Sequence, residues 1–407
     1  WINTGQYLEG INWFNDFNIS GKPGNQYIGW SKTVDNSWTE ARHDLDDVRG
    51  KKDIQFRLAY GSDGTARGNE GLAFDNVWIG ERNKMVLMEH FTNSSDQLSR
   101  QADSLLNLLA NNNPLDIVDV QYHTSYPGSD PFFEQNSIDP MSRSFYYGLT
   151  TSIPSTIMNG GTTSAFRFDY TTKPLDPVLI KTQALYDPKF RIRLDVNKQE
   201  DAMVINADLT ALQQITNRQV TLHIAVIERV VRGITGTNGQ TVFESVLKQM
   251  LPDAGGTVYT QNWNPGDNQT VSFTWPYNNV YNPDEIRVVA FVQDEQTQEI
   301  YQTAIDRTDP LVSVKDNKQV SEPNNQFIIF PNPLSSSIIY LRFNQTLEKK
   351  ADIYLFDNTG KIVSTEEIYP GNKLYQMNME NYPDGFYFIK ISSDNQFMGT
   401  HKLIITR

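Results

Sequence analysis

Apolar positions recur with two different periods along this chain, and the changes of period divide it into segments. Over residues 1–82 apolar and polar side chains alternate in short runs, 27–33, 53–60 and 72–79, separated by Gly, Asn and Asp. Such runs between turn-forming residues predict β-strands. Three or four strands do not close a sandwich, which needs about seven. The segment is therefore expected to be the C-terminal part of a β domain whose earlier strands precede Trp1.

The pattern changes at Lys84. An apolar run over 85–91 predicts a buried strand, and 96–111 then places Leu98, Ala102, Leu105, Leu106 and Leu109 at the spacing of one helix face. A second strand is expected over 116–122. Strand, helix and parallel strand make a right-handed crossover, so 84–187 reads as an α/β domain. A helix is expected around 140–149, a short strand over 155–158, and a closing helix over 174–186 with Pro174 suited to its first turn.

Alternation returns over 188–308, with strands expected at 190–196, 202–209, 219–228, 270–275 and 285–292, as in an immunoglobulin-like sandwich. Residues 243–251 break the rhythm with helical spacing and predict a helix capping one end. The polar stretch 309–325 reads as a linker. Beyond it, 326–407 holds seven candidate strands, 327–330, 338–343, 351–356, 361–365, 374–379, 385–392 and 398–406, with turns at 357–360 and 383–385. The fold class is thus multidomain and mainly β: a partial jelly roll, an α/β domain, an Ig-like sandwich and a C-terminal β-sandwich.

Composition narrows the chemistry. Hydrophobic residues make up 38% and charged residues 20%, which suits globular domains rather than a disordered chain. Acidic residues outnumber basic ones, 48 to 35, for a net charge of −13, which disfavours nucleic acid as a partner. There is no cysteine, so disulfides, thiolate metal sites and thiol–disulfide exchange are excluded. The five histidines lie at least thirty residues apart, and no HExxH motif exists. No apolar run is long enough to span a bilayer as a helix, and any export signal is expected to have been removed before Trp1.

The last eighty residues carry four landmarks in order. Phe330-Pro331-Asn332-Pro333 opens the segment, Asp357-Asn358-Thr359-Gly360-Lys361 lies in its middle, Asp384-Gly385-Phe386-Tyr387-Phe388-Ile389-Lys390 follows, and Lys402-Leu403-Ile404-Ile405-Thr406-Arg407 ends it. Together they resemble the type A C-terminal sorting domain of the type 9 secretion system of Bacteroidota. The resemblance implies a seven-stranded β-sandwich recognised by the translocon and its outer-membrane shuttle β-barrel. It assigns that recognition to Phe330, Pro331, Asn332, Pro333, Asp357, Gly360, Lys361, Gly385, Tyr387 and Lys402. Physically, Pro331 and Pro333 deny donors to an edge strand, and Gly360 suits the positive φ of a tight hairpin.

A second resemblance covers the α/β segment. Glu89-His90-Phe91-Thr92 before a helix, then Val118-Asp119-Val120-Gln121-Tyr122-His123, then Ile153-Pro154-Ser155-Thr156, is similar to the thioredoxin-like domain of the Omp28-related group. The resemblance implies a cis peptide bond before Pro154. It also puts Asn93-Ser94-Ser95-Asp96-Gln97 where redox members carry CxxC. A serine there needs an adjacent base and an oxyanion hole, and neither is signalled. Ser95 or Asp96 is instead expected to cap the helix.

The opening segment resembles the second half of jelly-roll or MAM-like modules. In those modules the Asp of a motif like Phe74-Asp75-Asn76-Val77 can join a calcium site, so Asp75 is the one metal-ligand candidate. Asp44, Asp46 and Asp47 lack the glycine and distal Glu of an EF-hand loop and read as solvated surface.

The leading reading is a non-enzymatic secreted or cell-surface cargo of the type 9 system, with calcium at Asp75 the one cofactor candidate. The alternatives are a carbohydrate- or surface-polymer-binding module in the N-terminal segment, or the accessory region of a larger secreted peptidase.

Overall fold

The computed structural model describes the chain apart from residues 32–36, 50, 52, 62–71, 308–325, 331, 333, 335–336, 344, 358–360, 394–395 and 406–407, and apart from the side chains of 328, 330, 396, 397 and 402. The expected linker 309–325 lies outside the described residues, as do Pro331, Pro333 and Gly360. The chain divides into two compact units, Trp1–Thr308 and Asp309–Arg407.

In the first unit, β1 (Val86–Thr92) is buried along its whole length, and α1 (Gln97–Asn112) carries the chain back to the parallel strand β2 (Ile117–His123). Asp96 starts α1, its side chain accepting the Ser99 N–H at 2.7 Å. The buried face of α1 runs through Ser99, Ala102, Asp103, Leu106 and Ala110, whereas Leu105, expected inside, is 54% exposed. Short α2 (Pro131–Gln135) and α3 (Ile138–Tyr147) lead to β3 (Ser155–Met158), antiparallel to β1, and then to β4 (Arg167–Phe168) and α4 (Pro177–Gln183). This is the element order of a thioredoxin-like domain.

The Ig-like part is built from β5 (Phe190–Lys198), β6 (Ala202–Ala211), β7 (Val220–Arg232), β8 (Val242–Leu251), β9 (Thr257–Tyr259), β10 (Asn268–Pro276), β11 (Ile286–Asp294) and β12 (Ile300–Ile305). One small sheet, β10-β6-β5, faces a nine-stranded sheet ordered β12-β11-β7-β8-β2-β1-β3-β4, with β9 on β7. The large sheet therefore runs through both 84–187 and 188–308. Alternation along β7 explains how it serves two cores. Leu222, Ile224 and Val226 pack on the small sheet with Met203, Ile205 and Trp275, while Ala225 and Ile227 pack with Leu87, Phe91 and Tyr122. Each fully buried Leu, Ile, Val, Met or Phe among them contributes about 1.5–3 kcal/mol.

Two expectations are corrected. Residues 243–251 form a strand, not a capping helix: β8 pairs with β7 and β2, and its apolar side chains enter cores on both faces of the sheet, Leu251 on one and Leu247 and Met250 on the other, so alternation disappears. A bulge at Val226/Ile227, with Ser245 at φ 50°, further disturbs the period. Among the described residues of 1–82 there is no strand, only isolated bridges such as Ile11↔Arg42 and Asp16↔Gly29. A period-two segment becomes a strand only when a neighbour takes its backbone bonds. Without one, Ile54, Phe56, Leu58, Phe74 and Trp78 are exposed.

The second unit is a two-sheet sandwich. Its strands are β13 (Phe327–Phe330), β14 (Ile338–Phe343), β15 (Ala351–Phe356), β16 (Ile362–Ile368), β17 (Leu374–Asn378), β18 (Gly385–Ser393) and β19 (Gln396–Ile405). A three-stranded sheet, β13-β14-β17, packs on a four-stranded one, β16-β15-β18-β19. The inward positions alternate strictly, Ala351, Ile353 and Leu355 on β15 against Tyr387, Ile389 and Ile391 on β18.

Candidate functional site

In the second unit the sequence landmarks converge through strand register. Gly385 pairs with Ile405 and Phe386 with Ile404, so the start of β18 meets the end of β19. Asn332 and Leu334, just past β13, reach the same place. The Asn332 side-chain oxygen accepts the Ile404 N–H at 2.9 Å, and the Leu334 N–H donates to the Ile404 carbonyl at 2.7 Å. The β15–β16 turn sits at this end as well, because Phe356 pairs with Phe388 on one side and Ile362 on the other. There the Asp357 N–H donates to the Lys361 carbonyl at 3.0 Å, and the Lys361 N–H donates to Asp357 Oδ1 at 3.1 Å. Tyr387 points into the core, its hydroxyl donating to the Pro383 carbonyl at 3.0 Å. Lys402 lies opposite Phe388, and Phe330 opposite Tyr340.

The two outer strands of this sheet differ at that end. There the outer side of β19 is occupied by Asn332 and Leu334 at Ile404, and at the strand's other end Gln326 bonds Met398. Among the described residues β16 pairs only with β15, and its first two residues, Ile362 and Val363, are 49% and 36% exposed.

In the first unit, the stretch in the CxxC position is closed by its own hydrogen bonds. Asn93 Nδ2 donates to the carbonyls of Thr124 and Gly128, and Asn93 Oδ1 accepts the N–H and hydroxyl of Ser95. Asp130 Oδ2 accepts the Ser94 N–H at 2.6 Å and faces His123 Nδ1 at 2.8 Å. Burial pushes the Asp130 carboxyl up, but the charge and hydrogen bond of His123 and the backbone N–H groups outweigh it and hold it at about 2. Nε2 of His123 has no hydrogen-bond partner and its ring packs on Phe132 and Phe243, so this acid–imidazole pair is not joined to a serine hydroxyl. His90 is held on both ring nitrogens, by Asp103 at 2.8 Å and Thr156 at 2.7 Å. The Ile153–Pro154 bond is cis, as are Tyr126–Pro127 and Leu251–Pro252.

Sequence reasoning missed the buried ion pair beside this site. Arg143 of α3 donates from Nε and Nη2 to Glu89 Oε1, at 2.9 and 2.6 Å, and the Tyr147 hydroxyl donates to Oε2 at 2.5 Å. An arginine among the core-facing positions of a helix was the available signal. Asp75 is exposed and accepts the Asn76 N–H. Among the described residues no three His, Asp or Glu side chains are grouped to hold a metal.

No curated protein matches the chain. Among solved structures, it is similar to HBP35 of Porphyromonas gingivalis at 14% identity, covering 81% of this chain and 100% of that one, with a TM-score of 0.41. A domain of the outer membrane lipoprotein Omp28 from Porphyromonas gingivalis is similar at 14% identity, covering 30% and 88%, with a TM-score of 0.21. A duf3244 family protein with an immunoglobulin-like β-sandwich fold from Bacteroides vulgatus is similar at 15%, covering 19% and 83%, with a TM-score of 0.16. Residues 328–406, which hold the converging landmarks, match the secretion system C-terminal sorting domain, a domain that marks proteins exported across the outer membrane to the cell surface or extracellular space.

Proposed function

We propose that the chain is a non-enzymatic cargo of the type 9 secretion system that engages the translocon and its outer-membrane shuttle β-barrel through the C-terminal sandwich. The observation that carries this reading is the sorting-domain match over residues 328–406, whose described landmarks gather at one end of one sheet. The surface best suited to recognition there is β16. An unpaired strand edge offers a partner a row of backbone donors and acceptors, and the corresponding side of β19 is already taken.

The non-enzymatic part is supported by the CxxC position. The side chains of Asn93, Ser95 and Asp96 are spent on capping and loop closure, the chain holds no thiol, and neither His90 nor His123 is bonded to a serine. The test is export. Deleting 326–407 should leave the rest folded and trapped in the periplasm, and fusing 326–407 to a foreign secreted protein should carry it to the surface. Surface display of the truncated chain would overturn the reading.

A further inference from the structure

A cleft of about 510 Å³ opens between α3, β7 and the turn that follows β8, and the functional reading above makes no use of it. Its lining includes Arg143, Tyr146, His223, Asp253, Val258 and Glu295. His223 is 2% exposed, stacks on Phe291 at 4.7 Å, and has no hydrogen-bond partner on either ring nitrogen. A buried imidazole with both nitrogens unmet is costly, so some compensation is expected. Nδ1 lies against Gly256, where an added Cβ would meet it at 2.9 Å. Nε2 faces Glu295 Oε1 across 3.9 Å, too far for a direct hydrogen bond and wide enough for one donor atom to reach both.

Charge selects the donor. Arg143 is the one cation of the lining, and its guanidinium is committed to Glu89 at 2.6 Å. Asp253 and Glu295 leave the cleft negative, which repels an anion. Burial, reinforced by Arg143, keeps the imidazole well below its usual range, hence neutral and able to accept.

We propose that this cleft binds an alkylammonium group, which donates to Nε2 of His223 and to the Glu295 carboxylate while its aliphatic stem lies on Tyr146 and Val258. Charge-assisted hydrogen bonds in a sheltered site supply the affinity, and the carboxylates supply the preference over neutral hydroxyl compounds. The same group could arrive as a free amine or as a lysine side chain of a polypeptide.

Isothermal titration of the whole chain with n-butylammonium and with Nα-acetyl-lysine N-methylamide tests this. At least one is expected to bind saturably. Binding by the lysine derivative alone identifies a polypeptide source, and binding by butylammonium alone a free amine. Glu295→Gln, at a partly exposed position, should weaken binding about tenfold or more without changing the melting temperature. His223→Phe, which keeps the stack on Phe291, should do the same. Absence of saturable binding to the unmodified chain, equal binding by Glu295→Gln, or equal binding of inositol would overturn the proposal.

Discussion

Asn332 holds the last strand of the chain: its side-chain oxygen accepts the backbone N–H of Ile404 at 2.9 Å, 72 residues away. The Leu334 N–H takes the Ile404 carbonyl from the same side, so one short segment satisfies both backbone groups of one residue. Asn332→Ala removes the first bond and leaves the second. The expected cost is about 1 kcal/mol, with faster hydrogen exchange at Ile404 than at the β15–β18 core. Unchanged exchange at Ile404 would show that the bond does not hold the strand.

The Glu89–Arg143 pair should behave as a buried charge pair. Both side chains are at most 2% exposed, and Tyr122, Tyr147 and Gln293 complete the network. Glu89→Gln leaves the guanidinium without its counter-charge and is expected to cost about 3–5 kcal/mol in urea unfolding. The double substitution Glu89→Leu with Arg143→Met should cost less than the sum of the singles, since it strands no charge. Strict additivity of the singles would contradict the pairing.

Two buried groups contribute to the acid response of the first unit over different pH ranges. His223, facing Arg143, Glu295, Asp253 and Tyr146, has its pKa lowered well below 6.5 by burial and by Arg143. The unfolded chain therefore binds a proton below about 6.5 that the folded chain refuses, and stability falls as the pH drops from there. Asp130 has its carboxyl held at about 2 against 3.8 when unperturbed. Its contribution is fully present above about 3.8 and is lost as the pH falls toward 2, a loss of about 2 kcal/mol. Unfolding free energies measured from pH 7 to 4 should slope for the unmodified chain and flatten for His223→Phe. A slope unchanged by that substitution would remove His223 as its source.

What the sequence revealed depended on how many faces of an element are buried. The strands Phe327–Phe330, Ile338–Phe343 and Ala351–Phe356 coincide with the runs read from alternation, because one face of each sheet meets the sandwich core and the other does not. Val242–Leu251 was misread for the opposite reason. It sends Leu247 and Met250 into one core and Phe243 and Val246 into another, and apolar residues at 243, 246, 247 and 250 mimic helical spacing. The sorting landmarks were legible as motifs, but their meeting at Ile404 depends on contacts between segments up to 72 residues apart. The Glu89–Arg143 and His223–Glu295 pairings lie beyond sequence reach for the same reason: 54 and 72 residues separate the partners.

The open edge of β16 yields the sharpest test of how export depends on this fold. Ile362 and Val363 begin the strand at the end where Asp357, Lys361, Gly385 and Asn332 gather, and both side chains are at least one-third exposed. Farther along, Glu366 and Glu367 carry charges of the kind that protect strand edges from adventitious pairing, so the unguarded stretch is short. Val363→Lys extends that protection over the open stretch. Because the side chain reaches solvent, the substitution should change stability by no more than about 0.5 kcal/mol. If a partner strand pairs here, export of the full chain should fall severalfold while the circular dichroism spectrum and melting temperature hold. A matched lysine at Leu374, an exposed position on β17 of the other sheet, should leave export unchanged. Equal export by Val363→Lys and the unmodified chain would move recognition away from this edge, and a deficit with Leu374→Lys alone would place it on β17.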